Sequence, residues 1–364
     1  MRKLLYFLLI ICLVLCGAYY YRYYDRHSTK QAQYHNPLPQ LNKNQFASLH
    51  PTIQKMLNDK TTPSRSLLLR INNQQAEFYN IAYHLQPAPN RREKLCELIY
   101  SMQDKYALPD GDYIFTFDDG MLWSHPWPVL TYAAPKQIVE KGDAILFPDV
   151  LATGGYDEMF AQIDIANQLH PWQDKENKIF WRGSPSGPVL SGIGIMRMPR
   201  VKFLQAAKSL DFVDAGFSAH KNLVNRKDLP AGFLTEFPEA GFVKPEDSLN
   251  FKYLMSIDGY TCSYSRMAWI LYSNSVMMKH ESDDIQWYFE YLKPYQHYIP
   301  IAKDFSDLHA QFIWAQQNPE QVLQIALESR KLALEIFSKD NIELAMLQAL
   351  QNYQLVAAAR ENVK

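Results

Sequence analysis

The sequence predicts an α/β fold in which strands and helices alternate around parallel sheets. Short apolar runs recur along the chain, and each ends in turn-forming or polar residues, as strands that lead into loops do. Helical spacing of apolar residues separates the later runs, for example over 263–273, and dominates the chain after residue 319. The predicted strands are 112–117, 144–147, 178–181, 252–257, 275–279 and 297–301. Such alternation is typical of a sheet covered by helices.

The length and composition indicate a folded protein with more than one core. A chain of 364 residues, 47% hydrophobic and 21% charged, is expected to form two globular units. The net charge is −1 and the 37 Lys and Arg residues are widely spread, which argues against a non-specific nucleic-acid binder. Only Cys96 and Cys262 lie in the body of the chain, so neither a disulfide framework nor a four-ligand zinc site is expected.

The N-terminus carries an apolar run that predicts a membrane anchor. Residues 4–21, "LLYFLLIICLVLCGAYYY", hold no charge, and at 1.5 Å per residue 18 residues just cross a bilayer. We therefore expect a single-pass anchor over 1–24, in a bacterial inner membrane, followed by a linker over 25–45. Basic residues flank both ends of the run, so the orientation stays open. A lipoprotein signal at "LVLCG" is the alternative.

Two helical regions flank the predicted strands. Residues 46–110 have a mostly helical pattern, for example in "REKLCELIYSMQDKY". At the other end, Asn318, Pro319 and Glu320 supply a helix N-cap, a proline at the first helical position and an early acid. The apolar residues that follow require C-terminal helices that pack on the body.

The stretch "TFDDG" places two carboxylates at the end of a predicted strand, where Gly120 allows a sharp turn. Asp118 and Asp119 could hold a metal ion, serve as a general base, or cap the turn. The same letters open the metal site of polysaccharide deacetylases, but that site also needs two histidines four residues apart. No two of the ten histidines have this spacing.

Two further segments predict anion binding. In "NKIFWRGSPSG" (177–187), a strand runs into Arg182, Gly183 and Ser184, which can bind phosphate oxygens; an ordinary loop with a surface ion pair is the alternative. In 251–282, a strand leads through an Asp258-Gly259 turn to a helix with Arg266 near its start, where an anion or a neighbouring acid could pair with it. No G-x-G-x-x-G or Walker sequence occurs, so neither a dinucleotide cofactor nor a P-loop is indicated.

In this order, three segments resemble glycosyltransferase family 90, which includes protein O-glucosyltransferases, fungal capsule-associated proteins and bacterial lipopolysaccharide-modifying proteins. The segments are "IFWRGSPSG" (179–187), "KYLMSIDGYTCSYSRMAWILYSNSVMMK" (252–279) and "WYFEYLKPYQHYIPI" (287–301). The resemblance implies a GT-B architecture of two facing Rossmann-like domains, and it covers about residues 110–320. The implied limits are an acceptor-side domain at 46–172, a sugar-nucleotide domain at 173–318 and C-terminal helices at 319–364.

The resemblance also implies an inverting transfer from a UDP-sugar with no obligatory metal and no cofactor. Arg182, Gly183 and Ser184 would then hold the diphosphate, and Arg266 would neutralise charge on the leaving UDP. Asp119 would be the base that deprotonates the acceptor hydroxyl, while Asp118 orients the turn.

Two positions depart from the family pattern. The family has a second arginine soon after Arg-Gly-Ser, and here the nearest candidates are Arg197 and Arg200, of which Arg200 is assigned to the substrate site together with Asp258. The acid before the tryptophan of the last motif is replaced by Gln286. The neighbouring acids that could replace it are Glu281, Asp283 and Asp284.

The sequence therefore predicts a membrane-anchored glycosyltransferase that moves glucose or a xylose-like sugar to a hydroxyl of a protein or a surface glycan such as lipopolysaccharide. Its expected partners are the UDP-sugar, the acceptor and the membrane, and no nucleic acid. Two alternatives stay open: a metal-dependent deacetylase, and an inactive glycan-binding scaffold of the same fold.

Overall fold

The computed structural model describes residues 38–82, 89–149, 152–187, 192–220, 223 and 229–361. It is an α/β fold with two five-stranded sheets and a short two-stranded ladder. The first sheet is mixed, with the order β2-β1-β3-β4-β6. Its strands are β1 (Ser66–Asn72), β2 (Gln75–Asn80), β3 (Gly111–Thr116), β4 (Val129–Thr131) and β6 (Ala144–Leu146). β1 is antiparallel to β2 and β3, and the remaining pairs are parallel.

The second sheet is parallel throughout, with the order β12-β10-β9-β7-β8. Its strands are β7 (Glu176–Gly183), β8 (Val213–Phe217), β9 (Phe251–Ser256), β10 (Val276–His280) and β12 (Ile299–Ile301). The ladder joins β5 (Ala134–Pro135) to β11 (Asp284–Ile285), so it links the loops of the two halves of the molecule. A hydrogen bond of 2.8 Å from Lys136 N to Asp283 O extends it.

Helices cover both sheets. The α-helices within the described residues are α1 (Lys43–Ala47), α2 (Pro51–Asn58), α3 (Pro89–Gln103), α4 (Lys136–Glu140), α5 (Asp157–Leu169), α6 (Pro199–Ala207), α7 (Phe233–Glu236), α8 (Pro245–Ser248), α9 (Tyr264–Tyr272), α10 (Leu308–Gln317), α11 (Pro319–Ile336) and α12 (Lys339–Glu361). α9 is the crossover between the parallel strands β9 and β10.

The strands of the second sheet are buried on both faces. Along β7, Phe180 belongs to a large core that includes the first sheet and α9, whereas Ile179 and Trp181 belong to a second core with α6 and α10. The last helix, α12, returns to the first sheet, where the Tyr353 hydroxyl accepts a hydrogen bond of 3.2 Å from Ile114 N.

All six predicted strands are confirmed, each within two residues. The mostly helical prediction for 46–110 is wrong in part, because β1 and β2 form a hairpin there. Its two loop residues, Asn73 and Gln74, have φ values of 48° and 64°, the backbone that tight hairpin turns require. Asn318 precedes α11, but its side chain donates back to Trp314 O at 2.8 Å instead of accepting from the helix.

The predicted membrane localisation is corrected by the structure. Across the described residues, no helix combines the length and the apolar character needed to cross a membrane. The longest two, α11 with 18 residues and α12 with 23, carry charged side chains such as Glu320 and Arg360. The anchor predicted over 1–24, and 25–37 of the linker, lie outside the described residues.

The limits predicted for the domains, and the GT-B arrangement, stay predictions. Each sheet does fall within one predicted domain, since β1 to β6 span 66–146 and β7 to β12 span 176–301.

Candidate active site

A cavity of about 500 Å³ lies where the carboxyl ends of β3, β7 and β9 meet the start of α9. In parallel sheets, ligands bind at this edge. Six of the seven predicted site residues line the cavity: Asp119, Arg182, Gly183, Ser184, Arg200 and Arg266. Asp258 is not among the lining residues and its side chain is buried, although the neighbouring Gly259 does line the cavity. The structure thus brings together residues that are up to 147 positions apart.

The loop after β7 is held in shape by Arg200. Its Nη1 donates to the Ser184 carbonyl at 2.8 Å and to the Ser186 hydroxyl at 2.5 Å. Gly183 is required by close packing, because a Cβ there would lie 2.6 Å from the Trp181 indole. The residues that follow place two serine hydroxyls, those of Ser184 and Ser186, on the cavity wall.

The guanidinium of Arg182 is already engaged by protein groups. It pairs with Asp214 Oδ1 at 2.6 Å and donates to the carbonyls of Trp181 and Asp214 at 3.0 and 3.2 Å. It also lies 4.7 Å from the centre of the Phe180 ring. Its Nε has no hydrogen-bond partner among the described residues, so the contact of Arg182 with a diphosphate stays a prediction.

Arg200 and Arg266 are two further cations of the cavity wall. Within the described parts of the chain, neither guanidinium forms an ion pair with a carboxylate, although both line the cavity. Burial lowers the pKa of Arg266 to about 10, and repulsion from Arg200 contributes. Burial also lowers the pKa of Arg200 to about 10, against the attraction of Asp258. Two half-buried like charges that form no ion pair with a carboxylate of the described residues favour an anion in the cavity.

The start of α9 adds to this positive region. Arg266 is its third residue and donates to the Arg182 carbonyl, and no side chain caps the helix N-terminus. The Ser263 hydroxyl at the cap position donates instead to Ile257 O at 2.6 Å. The positive end of the helix dipole and the free N–H groups of the first turn therefore favour an anion in the cavity.

Asp119 lies on the opposite wall, on the loop after β3. Its side chain is 47% exposed, and Oδ1 pairs with Arg91 Nη1 at 3.2 Å. Its main-chain carbonyl accepts from the Tyr264 hydroxyl at 2.7 Å and from the Thr261 hydroxyl. The carboxylate is thus available to a ligand while its backbone is fixed to the other wall.

The carboxylate of Asp118 is engaged by neighbouring protein groups. It accepts from Ser64 Oγ at 2.9 Å and lies 3.5 Å from Arg65 Nη1. It also accepts from Thr116 Oγ1 at 3.3 Å, so it stabilises the end of β3. Of the two aspartates, only Asp119 lines the cavity.

The other candidates lie elsewhere. Arg197 is exposed and is not a lining residue, and Glu281, Asp283 and Asp284 are likewise absent from the cavity wall. No three His, Cys, Asp or Glu side chains within the described ranges are grouped to hold a metal ion. Whether the reaction needs a metal stays a prediction.

Sequence reasoning missed several residues of the site. Tyr264 and Thr261, which fix the Asp119 loop, and Arg91, which pairs with its carboxylate, make contacts far apart in sequence. Phe242 and Tyr260 line the cavity with 75% and 52% of their surface exposed. Tyr260, Thr261 and Tyr264 lie in the segment 251–282, which was predicted to bind an anion. The sequence around Phe242 has no pattern that indicates a binding residue.

Comparison with known proteins places the chain in a family. A family model described as glycosyl transferase family 90 matches residues 97–363. Protein O-glucosyltransferase 3 of Homo sapiens is 23% identical over 279 residues, which is 74% of this chain and 51% of the relative. Protein O-glucosyltransferase 2 of Danio rerio is 24% identical over 278 residues, 73% of this chain and 51% of the relative. The chain spans about half the length of these relatives. Because the match covers most of the chain and both walls of the cavity, the chain belongs to glycosyl transferase family 90.

Proposed function

We propose that this chain is an inverting, metal-independent glycosyltransferase that moves glucose or a xylose-like sugar from a UDP-sugar to a protein hydroxyl. The observation that carries the proposal is the cavity itself, which is lined by two guanidinium groups that form no ion pair within the described residues and by an accessible carboxylate. The similar human and zebrafish proteins are named protein O-glucosyltransferases, which supports glucose and a protein acceptor. The expected lipopolysaccharide acceptor draws no support from these names.

The donor would bind with its diphosphate between Arg200, Arg266 and the start of α9. Each guanidinium presents several N–H donors, and phosphate oxygens are their strongest partners. The two cations repel each other when no anion lies between them, so binding of a diphosphate relieves that repulsion. The hydroxyls of Ser184 and Ser186 would complete the contacts from the β7 side.

The acceptor would approach from the Asp119 side. As its oxygen bonds to the anomeric carbon, the bond from that carbon to the β-phosphate oxygen breaks, and the electron pair of that bond leaves with UDP. The acceptor proton passes to the carboxylate of Asp119. Because attack and departure occur on opposite faces of the sugar, the configuration inverts. Fixed cations then stabilise the charge that develops on UDP.

Binding of UDP is the first test. Calorimetry should show UDP binding to the wild-type protein, and Arg266→Gln should weaken it about 10- to 100-fold, the usual contribution of hydrogen bonds to charged groups. Lys178→Gln, which removes a cation outside the cavity lining, should leave the affinity unchanged. No UDP binding, or equal affinity of the Arg266→Gln variant, would contradict the proposal.

Turnover is the second test. UDP release should be followed with a panel of UDP-sugars, serine-containing peptides as acceptors, and chelator present or absent. We expect Asp119→Asn to lower kcat by about 10²- to 10⁴-fold, the range for loss of a general base, while UDP affinity is kept. Asp118→Asn serves as the control and should retain far more activity. Activity that is abolished by chelator, or an Asp119→Asn variant with normal turnover, would refute this mechanism.

A further inference from the structure

The side chain of Arg91 contacts the carboxylate of Asp119, the proposed base. Arg91 is the third residue of α3, and its Nη1 donates both to Asp119 Oδ1 at 3.2 Å and to the main-chain carbonyl of Phe117 at 3.0 Å. A single nitrogen therefore joins the carboxylate to the backbone two residues before it. Arg91 also lies upstream of the matched segment 97–363, so the family match says nothing of it.

The neighbouring aspartate, Asp118, offers a comparison for the contact between Arg91 and Asp119. Asp118 has its own arginine, Arg65, at 3.5 Å, together with the hydroxyls of Ser64 and Thr116. Both aspartates are thus paired with an arginine, but only Asp119 lines the cavity. An arginine–aspartate pair alone does not identify a site. Arg91 differs from Arg65 because the carboxylate that it contacts lines the cavity.

The two oxygens of the Asp119 carboxylate are not equivalent. Oδ1 accepts from Arg91, whereas no hydrogen bond to Oδ2 occurs within the residues that the structure describes. The backbone of Asp119 is fixed separately by Tyr264 and Thr261, which bind its carbonyl. Two side-chain torsions remain. The side chain is 47% exposed, and among the described residues only the Arg91 contact restrains them.

We propose that Arg91 is a positioning residue that holds Oδ1 of Asp119 so that Oδ2 receives the proton of the acceptor hydroxyl. This inference rests on the proposed function. A guanidinium group offers N–H donors and no acceptor, so Arg91 does not accept the proton and can remain a donor to Oδ1 before and after the transfer. A base that is already oriented avoids the entropy of finding the reactive rotamer at each turnover.

The test is a double-mutant cycle with Arg91→Gln, Asp119→Asn and the combined variant. UDP release is measured with the UDP-sugar and the serine-containing peptide that the wild type turns over fastest. We expect Arg91→Gln to lower kcat about 10-fold or more with the donor KM and the UDP affinity unchanged. In the Asp119→Asn background the same substitution should have no effect, because Arg91 acts only through that carboxylate.

Two further variants separate positioning from folding. Arg91→Lys keeps a cationic donor and should recover turnover to within about fivefold of wild type, whereas Arg65→Gln removes the equivalent cation beside Asp118 and should change kcat less than about twofold. Additive losses in the cycle, a rise in KM at unchanged kcat, or loss of UDP affinity in Arg91→Gln would each overturn the inference. If wild type releases UDP and Arg91→Gln equals it, only this inference fails; if wild type releases none, the proposed function fails with it.

Discussion

The hydroxyl of Tyr264 donates a hydrogen bond of 2.7 Å to the main-chain carbonyl of Asp119. Tyr264 is the first residue of α9 and Arg266 the third, so one helix carries a cation of the anion site and also fixes the loop of the proposed base. Burial raises the pKa of the Tyr264 hydroxyl well above its ordinary value. The hydroxyl therefore stays protonated, and a donor, across the physiological pH range.

Tyr264→Phe removes this contact and leaves the Thr261 hydroxyl as the remaining donor to the Asp119 carbonyl. We expect kcat to fall about fivefold, which corresponds to roughly 1 kcal/mol for one hydrogen bond, with UDP affinity unchanged. Tyr272→Phe is the control on the same helix, since its hydroxyl binds Asp164 at 2.9 Å outside the cavity lining. Steady-state kinetics measures kcat, and calorimetry measures the UDP affinity. A parallel fall in both would contradict a role of Tyr264 in fixing the Asp119 loop.

Gly120 makes a prediction about stability. It has φ +130°, and a Cβ there would lie 2.4 Å from Thr261 Cγ2. Gly155 has φ +80° with nothing within 4 Å of its added Cβ, so it is a matched control. Gly155→Ala should lower the free energy of unfolding by about 1–2 kcal/mol from backbone strain alone. Gly120→Ala should lower it further and reduce kcat; equal losses in denaturant unfolding would show that the Thr261 contact does not matter.

The local parts of the site could be predicted from sequence. Arg182, Gly183 and Ser184 follow a buried strand directly, and Arg266 follows the start of a helix, so position along one element was enough. What sequence could not show was that the Arg182 guanidinium pairs with Asp214, 32 residues away on β8. Partner choice between parallel strands is set by packing, which periodicity does not encode.

The same limit applies to the fold and to the opposite wall. β1 was missed because the run of three leucines at 67–69 is compatible with a helix or a buried strand. Its turn uses Asn73 and Gln74 in place of a glycine, so the usual hairpin signal is absent. Arg91 and Asp119 are 28 residues apart, and no pattern between them indicates the contact.

The exposed rings at the cavity mouth predict how the nucleotide is recognised. Phe242 and Tyr260 line the cavity while 75% and 52% exposed, and a nucleobase is a flat partner for such rings. Base stacking on an aromatic ring contributes about 1–3 kcal/mol, so Phe242→Ala should weaken UDP binding about 5- to 100-fold. Pyrophosphate lacks a base and should bind equally to both proteins. Leu327→Ala, an exposed apolar site on α11, is the control. Parallel losses for UDP and pyrophosphate would contradict stacking.

Lys175 predicts how stability changes with pH. Its side chain is 4% exposed and its Nζ donates to the Leu249 carbonyl. Burial lowers the pKa of Lys175 from 10.5 to about 7. This corresponds to roughly 5 kcal/mol of destabilisation at low pH, where both folded and unfolded chains carry the proton.

Between pH 7 and 10.5 the unfolded chain binds more protons at this residue, so the destabilisation shrinks as the pH rises. Lys175→Met should therefore be more stable than wild type by a few kcal/mol below pH 7, and its advantage should decline towards pH 10. The lost hydrogen bond to Leu249 takes about 1 kcal/mol from that advantage at every pH. Lys178→Met, at a half-exposed lysine nearby, is the control. Denaturant unfolding at pH 6, 8 and 10 gives the free energy of unfolding of wild type and both variants. If the difference between Lys175→Met and wild type stays constant with pH, charging this amine costs no free energy in the folded protein.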